Sequence, residues 1–543
     1  MKEQKNSFVG NVLILMVAQV VIRILGLVYK LVITNLDGFG DVGNGYYSAG
    51  YQIYTVLLLI SSQGIPSALA KLVSEKIAIG EYKSAHRIFK IALLVFGIIG
   101  GLCSLLLFIS SGFIANNILN VPDVKYVLMV LAPAIFFVST SAVIRGYFMG
   151  LGTMKPSSNS QMLEQLFNCI LSILFVYATI GKDAYVMAAA GNLSTTVAIL
   201  ISTSYLIAYY KLKNKKFAKI YKDVEQKEKP KPVKLIAKTI LMCSIPMTIG
   251  SVITAISTMI DTVTVSNCTQ IAYEGILGSK EELEQMAMKF AGILSKVETI
   301  TNLPIAINLA FSSALVPAIS AALAKKNKKE ASKKISFSIT ASILIILPCV
   351  VGFIVLAEPI LKMLYPNASD GALVFQIAAI TMFFVAISQT LNGALFGLNK
   401  LYIPSIAIAI GSVIKFVLNI ILIRNPNINI YGAAISSFVC QFICFVITWK
   451  ATKSAINMKL NFVNNILKPL FAGIVMGFVI LFGYNVTHLI LGNSISTILM
   501  ICIGGLVYLL TIAFIKVLNK DEIYDLPKGD KIYKILTKLS IYK

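Results

Sequence analysis

The feature of this sequence that most constrains its fold is a series of apolar runs, each long enough to cross a lipid bilayer. An α-helix needs about 20 residues to span the hydrocarbon core. Only 13% of the 543 residues are charged, against about 25% in a typical soluble domain. We therefore predict an all-α polytopic membrane protein with fourteen transmembrane helices. The runs cover about residues 8–34, 46–72, 89–115, 125–150, 157–181, 184–210, 236–265, 287–323, 335–362, 372–397, 402–424, 430–450, 467–490 and 494–518.

The charges of the chain lie mainly in the connections between these runs. The formal net charge is +24, and the lysines and arginines are concentrated after the second, sixth, eighth and twelfth runs, whereas acidic residues follow the first and seventh. Basic loops remain on the cytoplasmic side of a membrane. This alternation predicts that both termini are cytoplasmic, and it accounts for the positive charge without nucleic acid as a partner.

Two sequence patterns occur twice, at nearly the same separation along the chain. SSQGIPSALAK at residues 61–71 corresponds to SSALVPAISAA at 312–322, and RGYFMGLGTMKPS at 145–157 corresponds to NGALFGLNKLYIPS at 392–405. The separation contains an even number of runs, so the two halves are expected to be parallel repeats. The sequence thus predicts two six-helix lobes followed by two C-terminal helices.

This repeat defines the predicted domain organisation. The two lobes are expected at residues 1–210 and 236–452, joined by a basic cytoplasmic linker at 211–235. The two additional spans lie within residues 453–518, and a cytoplasmic tail occupies 519–543.

Pro66 and Pro317 occupy equivalent positions in the repeat. A proline within a membrane helix frees a backbone carbonyl and kinks the helix. We predict that both prolines act as hinges, together with Gly26 in the first run. Helix mechanics alone is the alternative explanation, since the Gly-x-x-x-Gly spacing in the second repeated pattern also permits close helix packing.

A few charged residues lie deep within the apolar runs. Arg23 is about 22 Å along the first run at a rise of ~1.5 Å per residue, and an arginine exposed to lipid there costs at least ~2.5–3.5 kcal/mol. Arg23, Lys296 and Lys415 are expected to line a cavity for an anion, because guanidinium and ammonium groups bind phosphate. Structural ion pairs between helices are the alternative. The polar residues expected in the same cavity are Glu164, Glu298 and Gln63.

The sequence contains no pattern typical of an enzyme, such as a P-loop, a nucleophile elbow or H-E-x-x-H. Cys440 and Cys444 share a helix face but have no His or carboxylate nearby in the sequence, so we predict small core residues rather than a metal site. We therefore expect a transporter with no catalytic residue, metal or cofactor. Sodium or the membrane potential is the expected driving force.

The fourteen runs and the repeated lobes accompany two local patterns, IRILGLVYK at residues 22–30 and RGYFMGLGTMKPS at 145–157. With them the sequence resembles the multidrug/oligosaccharidyl-lipid/polysaccharide (MOP) flippase superfamily, and more narrowly its branch of lipid II flippases and stage V sporulation protein B. The resemblance implies a monomeric, V-shaped pair of lobes with alternating access in a bacterial plasma membrane. It also implies a cationic cavity for a pyrophosphate-sugar headgroup and a groove for the polyprenyl tail beside the last two helices, within residues 453–518.

The resemblance also assigns roles to individual residues. Arg23 matches the arginine of the family's Arg-x-Leu-Gly pattern. The place of a second family arginine is occupied by Tyr29, with Lys30 beside it as the substitute cation. Lys296 and Glu298 lie in the stretch where the family has a cavity arginine.

Some members of the family bind sodium between an aspartate of the seventh span and polar residues of the eleventh. Asp261 resembles that aspartate, and Asn419 and Lys415 lie where the eleventh span supplies its ligands. We hypothesise that the Lys415 ammonium replaces the ion and pairs with Asp261, because a lysine in the middle of the bilayer is otherwise costly.

The favoured hypothesis is a flippase that moves an undecaprenyl-pyrophosphate-linked sugar, lipid II above all, from the inner to the outer leaflet. The partners would then be this substrate and membrane lipids, and the processes would be peptidoglycan synthesis and sporulation. The alternatives are a flippase for capsule, teichoic-acid or exopolysaccharide repeat units and a cation-coupled multidrug exporter. An exporter is expected to carry a carboxylate in the first run, where this chain has Arg23. A purely structural membrane protein would not explain deep charges in both lobes.

Overall fold

The computed structural model describes residues 21–222, 232–324, 327–456 and 463–518, together with residues 533, 534 and 537. Within these ranges the side chains of 213–222, 247, 310–311, 313–318, 321 and 324 are not described. The start of the first predicted span, most of the basic linker, almost all of the cytoplasmic tail and the Pro317 side chain therefore lie outside the described residues.

The described chain is almost entirely helical, which confirms the predicted all-α class. Its ranges contain no β-strand beyond an isolated bridge between Glu274 and Leu277. The first described helix, α1, covers residues 21–34. It is followed by α2 Gly40–Ser62, α3 Ile65–Ala78, α4 Tyr82–Phe113, α5 Val124–Gly150, α6 Lys155–Tyr177, α7 Ala184–Lys222, α8 Val233–Tyr273, α9 Lys280–Ala324, α10 Lys328–Val355, α11 Ala357–Leu364, α12 Ala372–Gly397, α13 Tyr402–Ile423, α14 Ile430–Ile456 and α15 Lys468–Phe514.

Ten helical segments of the described ranges are long and apolar enough to cross a membrane. One of them, Val463–Phe514, has 52 residues, about twice what one crossing needs. Gly492 divides it, with φ 73° and ψ 176° inside α15. This backbone conformation is open essentially to glycine alone. The chain is a multi-pass membrane protein, while the number of fourteen spans and the cytoplasmic position of both termini stay predictions.

The chain forms two compact units. The first contains Met1–Lys296 and Asn419–Asn429, and the second contains Val297–Leu418 and Ile430–Lys543. The core of the first unit joins apolar side chains of α3, α4, α5, α7 and α8. A core of the second unit joins α9, α10, α12 and α14. The lobes drawn from the sequence repeat have other boundaries and stay a prediction.

The second predicted span lies within the segment Gly40–Ala78, which is interrupted just before Pro66. The turn at Gln63 and Gly64 separates α2 from α3, and Pro66 lies in the first turn of α3, where its missing N–H leaves no hydrogen bond unmade. A side chain at Gly64 would collide with the carbonyl oxygen of Ser244 in α8. This position therefore needs glycine for close helix contact, and the hinge role of Pro66 stays a prediction.

The glycines of the first repeated Gly-x-x-x-Gly pattern also serve close packing. A Cβ on Gly146 would lie 2.8 Å from Cα of Pro66, and one on Gly150 would lie 2.7 Å from Cβ of Val73. Both distances are too short for carbon atoms, so α5 approaches α3 through its glycines, as expected for this spacing.

Candidate functional site

Arg23 lies in α1 with its side chain exposed. Its guanidinium and the Glu164 carboxylate of α6 both act electrostatically on the hydroxyl of Tyr51 in α2. A cation, a carboxylate and an aromatic ring from three helices of the first compact unit are thus electrostatically coupled. On the same helix as Arg23, Gly26 faces Gln165 of α6. A Cβ added to Gly26 would lie 3.6 Å from Nε2 of Gln165, which is an ordinary van der Waals distance.

Lys30 lies two helical turns after Arg23 and is held by side chains of two other helices. Its Nζ donates to Oγ of Ser295 in α9 at 2.9 Å and lies 5.3 Å from the ring centre of Tyr47 in α2. The Tyr47 hydroxyl is in turn 3.3 Å from that of Tyr29. Lys30 is thus half-buried and held by two other helices, whereas Arg23 is exposed.

Lys296 forms a buried ion pair with Asp41. Its Nζ lies 2.7 Å from Oδ1 and 3.0 Å from Oδ2 of the aspartate, and the two side chains are 0% and 5% exposed. Lys296 thus forms a structural ion pair between helices, which was the alternative to a cavity cation. Its role as a substrate contact stays a prediction. The hydropathy pattern placed Asp41 in the loop after the first run, whereas it lies in the first turn of α2.

The backbone around this ion pair explains how two charges come so close. Side chains added to Gly45 in α2 or Gly292 in α9 would collide with the facing backbone, at the carbonyl oxygens of Met288 and Asp41. Asn44 also donates to the Gly292 carbonyl at 2.9 Å. The run Gly43-Asn44-Gly45 in the sequence is the signal that could have indicated close helix packing beside Asp41.

Glu164 belongs to a second charged network within the first unit. Arg145 of α5 donates through Nη2 to Oε2 of Glu164 at 2.6 Å, through Nε to Ser160 Oγ at 2.9 Å, and through Nη2 to Ser202 Oγ at 3.1 Å. The Arg145 and Glu164 side chains are 11% and 28% exposed. Arg145 lies near the end of the predicted run at 125–150 and was not among the residues proposed from the sequence, yet its network joins α5, α6 and α7.

Asp261 and Asn419 are brought together as the resemblance implied. Nδ2 of Asn419 lies 3.0 Å from Oδ1 of Asp261 and 2.8 Å from Oγ1 of Thr264. Asn419 is fully buried, and among the described atoms its Oδ1 has no hydrogen-bond partner. The amide nitrogen of Asn419 thus lies against the two side-chain oxygens of α8, and the sodium site that the resemblance implied stays a prediction.

The remaining predicted residues differ in exposure. Lys415 of α13 is 6% exposed, and its ammonium acts electrostatically on the Cys444 thiol of α14. It belongs to the second compact unit, whereas Asp261 belongs to the first, and the hypothesis that they pair stays a prediction. Glu298 and Gln63 have exposed side chains.

No group of three or more His, Cys, Asp or Glu side chains that could hold a metal ion occurs in the part of the chain that the structure describes. Cys440 and Cys444 both pack against α13, because a Cβ on Gly411 would lie 2.9 Å and 3.2 Å from their sulfur atoms. This contact agrees with their interpretation as small core residues.

Comparison with known proteins identifies the family. A family model described as "Polysaccharide biosynthesis protein" matches residues 8–323, more than half of the chain. The chain belongs to this family. A second model, MatE, matches residues 289–421. Together they confirm the predicted membership of the MOP superfamily.

The chain is similar over most of its length to proteins of comparable size. Stage V sporulation protein B of Bacillus subtilis is 27% identical over 80% of this chain and 81% of its own. Lipid II flippase MurJ of the same organism is 24% identical over 74% of this chain and 75% of its own. A solved structure titled "Lipid II flippase MurJ, inward closed conformation" covers 92% of this chain and 98% of its own, with a TM-score of 0.69 and 17% identity. This likeness confirms the fold. The ten membrane-length helices and the family match together support a multi-pass protein of a bacterial membrane.

Proposed function

We propose that this protein is a transporter rather than an enzyme, a flippase that moves an undecaprenyl-pyrophosphate-linked sugar, lipid II above all, from the inner to the outer leaflet by alternating access. The family description and the names of the relatives support a lipid-linked polysaccharide precursor as the substrate class. The observation that carries the proposal for this chain is Arg23, an exposed arginine on a helix of an apolar run.

Arg23 has the chemistry of a phosphate contact. A guanidinium that is exposed at membrane depth is costly in lipid, so its exposed surface faces water or a ligand. Its planar fork can donate two parallel hydrogen bonds to a phosphate. Arg23 would thus bind the pyrophosphate that every substrate of this class carries.

The other cations would contribute differently. Lys30 and Lys296 bind side chains of neighbouring helices. In this proposal they hold α1, α2 and α9 together and do not contact the substrate. The last two spans, within α15, carry many exposed apolar side chains, which suits contact with lipid and with a polyprenyl tail. In this proposal the protein acts as a monomer.

The driving force in this proposal is a cation gradient or the membrane potential. The Asp261, Thr264 and Asn419 oxygens would hold a sodium ion, and binding would change the hydrogen bonds that now join α8 to residue 419. Measuring transport with sodium replaced by potassium tests this proposal, and a rate independent of the cation would leave the membrane potential as the driving force.

Complementation tests the proposed function. The gene would be expressed in a strain whose essential lipid II flippase can be depleted, and growth would be followed for the wild type and for Arg23→Ala. Loss of a charged hydrogen bond of ~1.5–3 kcal/mol predicts about 10- to 100-fold slower transport, hence loss of growth at equal protein abundance. Lys182→Ala removes an exposed cation of the α6–α7 connection and should complement fully.

Two outcomes contradict the proposal in different ways. Growth that is undiminished by Arg23→Ala overturns the role of this residue. Failure of the wild type to complement, at normal abundance in the membrane, refutes lipid II as the substrate and favours another repeat unit, in line with the family description "Polysaccharide biosynthesis protein". A multidrug exporter is the candidate that the MatE match favours, and drug resistance conferred by the wild type would support it.

A further inference from the structure

We propose that Tyr51 is the stacking platform for the sugar ring next to the pyrophosphate, and that it helps to select substrates that carry this sugar. This inference rests on the proposed function and deepens it, because it assigns a sugar subsite beside the phosphate contact. Tyr51 was not among the residues singled out from the sequence.

Tyr51 differs from the other tyrosines of its cluster in being exposed. Tyr47 and Tyr54 are each 1% exposed, whereas Tyr51 between them is 37% exposed. The Tyr51 ring is stacked on Tyr47 with ring centres 6.3 Å apart and planes 19° apart, and it lies 5.6 Å from the Tyr54 ring at 51°. One side of the ring is therefore fixed by buried aromatic neighbours while part of its surface remains accessible.

Such a ring is a prepared binding surface rather than a mobile side chain. Tyrosine offers a large, rigid contact area at little cost in conformational entropy, and the contacts to Tyr47 and Tyr54 reduce that cost further. The axial C–H groups of a pyranose form a flat apolar face that packs on an aromatic ring, while the phenol hydroxyl keeps a polar edge. The exposed surface thus suits a sugar better than an anionic phosphate, because the face of an aromatic ring is electronegative.

The charges around Tyr51 match the covalent order of the substrate class. The Tyr29 and Tyr47 hydroxyls, 3.3 Å apart, join α1 to α2 one turn before Tyr51. Arg23 and Glu164 both act electrostatically on the Tyr51 hydroxyl. The ring is therefore within reach of the field of the proposed phosphate contact. In a pyrophosphate-linked sugar the first pyranose is bonded directly to the phosphate, so its binding site must adjoin the phosphate site. The Glu164 side chain, 28% exposed, can accept hydrogen bonds from sugar hydroxyls.

Binding of two lipids that differ only in the sugar tests this inference. The purified full-length protein would be titrated in detergent with undecaprenyl pyrophosphate and with undecaprenyl-pyrophosphoryl-N-acetylglucosamine. Tyr51→Leu should weaken binding of the second lipid about two- to tenfold, the range for loss of an aromatic contact, and leave binding of the first unchanged. Tyr51→Phe keeps the ring and should retain most of the affinity for both lipids.

The controls separate the sugar contact from other roles of this residue. Tyr177→Leu removes a tyrosine that is 66% exposed at the end of α6 and should leave both affinities unchanged. Arg23→Ala should weaken both lipids alike. Thermal unfolding would verify that each variant folds. If Tyr51→Leu did not fold, Tyr51→Met would replace it in the same comparison of the two lipids.

The binding results distinguish failure of the sugar platform from failure of the proposed function. Equal weakening of both lipids by Tyr51→Leu, or no weakening of either, overturns the sugar platform while the phosphate site and the proposed function stand. Failure of the wild type to bind either lipid refutes the proposed function itself. Selective loss of the sugar-bearing lipid supports the platform.

Discussion

Replacing Lys296 by methionine should destabilise the first compact unit more than any other change of a charged residue considered above. The substitution keeps the length and apolar stem of the side chain and removes only its charge. It leaves the Asp41 carboxylate, 5% exposed, inside the contact between α2 and α9. There the helices pack backbone against backbone, so water has little room to solvate the carboxylate.

The expected magnitude follows from burial and geometry. Removing one partner of a buried ion pair costs ~3–5 kcal/mol, because the remaining charge loses both its partner and its hydration. The total stability of a domain is only about 5–15 kcal/mol, so this loss is a large share of it. Asp41→Asn alone should also be costly, but the double variant should be less unstable than the two losses added together, with a coupling energy of ~1–3 kcal/mol.

Unfolding in mixed detergent micelles, followed by helical circular dichroism, would measure these differences. The chain provides a matched control, since Lys362 and Glu358 form an ion pair of nearly the same length, 2.6 Å, but with 55% and 63% of their side chains exposed. Lys362→Met should cost at most ~1 kcal/mol. A Lys296→Met cost as small as that of Lys362→Met, or strict additivity with Asp41→Asn, would refute the argument from burial.

Three further predictions concern other parts of the chain. Arg145→Lys keeps the charge beside Glu164 but loses the planar fork, so we expect a loss of ~1–2 kcal/mol in the free energy of unfolding; an unchanged value would show that the network contributes little. Burial raises the pKa of the Glu284 carboxyl at the start of α9, Lys280 opposes this, and Asp123 adds to it. The folded protein thus holds this proton more tightly than the unfolded chain, so stability falls as pH rises above about 4.5, and Glu284→Gln should flatten this part of a melting-temperature profile. Gly492→Ala should cost ~1–3 kcal/mol from backbone strain, although space is open around the added methyl group; a neutral result in the same unfolding assay would show that α15 adopts another turn.

The fold class could be predicted from the sequence because membrane helices are a property of continuous segments. Runs of apolar residues indicate helices wherever they occur, since an unpaired backbone is not tolerated in lipid. The exact positions of helix breaks were harder to predict. The sequence predicted a kink caused by Pro66, and the break lies at Gln63 and Gly64, in the turn before this proline, where its ring disturbs the helical hydrogen bonds. The sequence did not indicate that α8 approaches Gly64 so closely that only glycine fits there.

The candidate site was less predictable because its decisive contacts are tertiary. Nothing near Lys296 in the sequence indicates that its partner is Asp41, since the two are brought together only by the packing of α2 on α9. In the same way Arg145 looked like a residue at a helix end, whereas it joins three helices. Asp261 and Asn419 could be paired in advance only because a family resemblance supplied the partner.

Depth along an apolar run is therefore an incomplete criterion for a functional charge. The cost of placing a charge within the membrane can be met by a carboxylate of a neighbouring helix, as for Lys296 and Arg145, or by water and a ligand, as proposed for Arg23. Depth does not distinguish these cases, whereas exposure of the charged group does. The two classes should separate experimentally, because loss of a paired charge lowers the free energy of unfolding while loss of an exposed charge lowers substrate affinity and leaves unfolding almost unchanged. Arg23→Ala and Lys296→Met compared in both assays make this distinction testable, and a destabilisation by Arg23→Ala as large as that by Lys296→Met would remove the reason for treating Arg23 as the ligand contact.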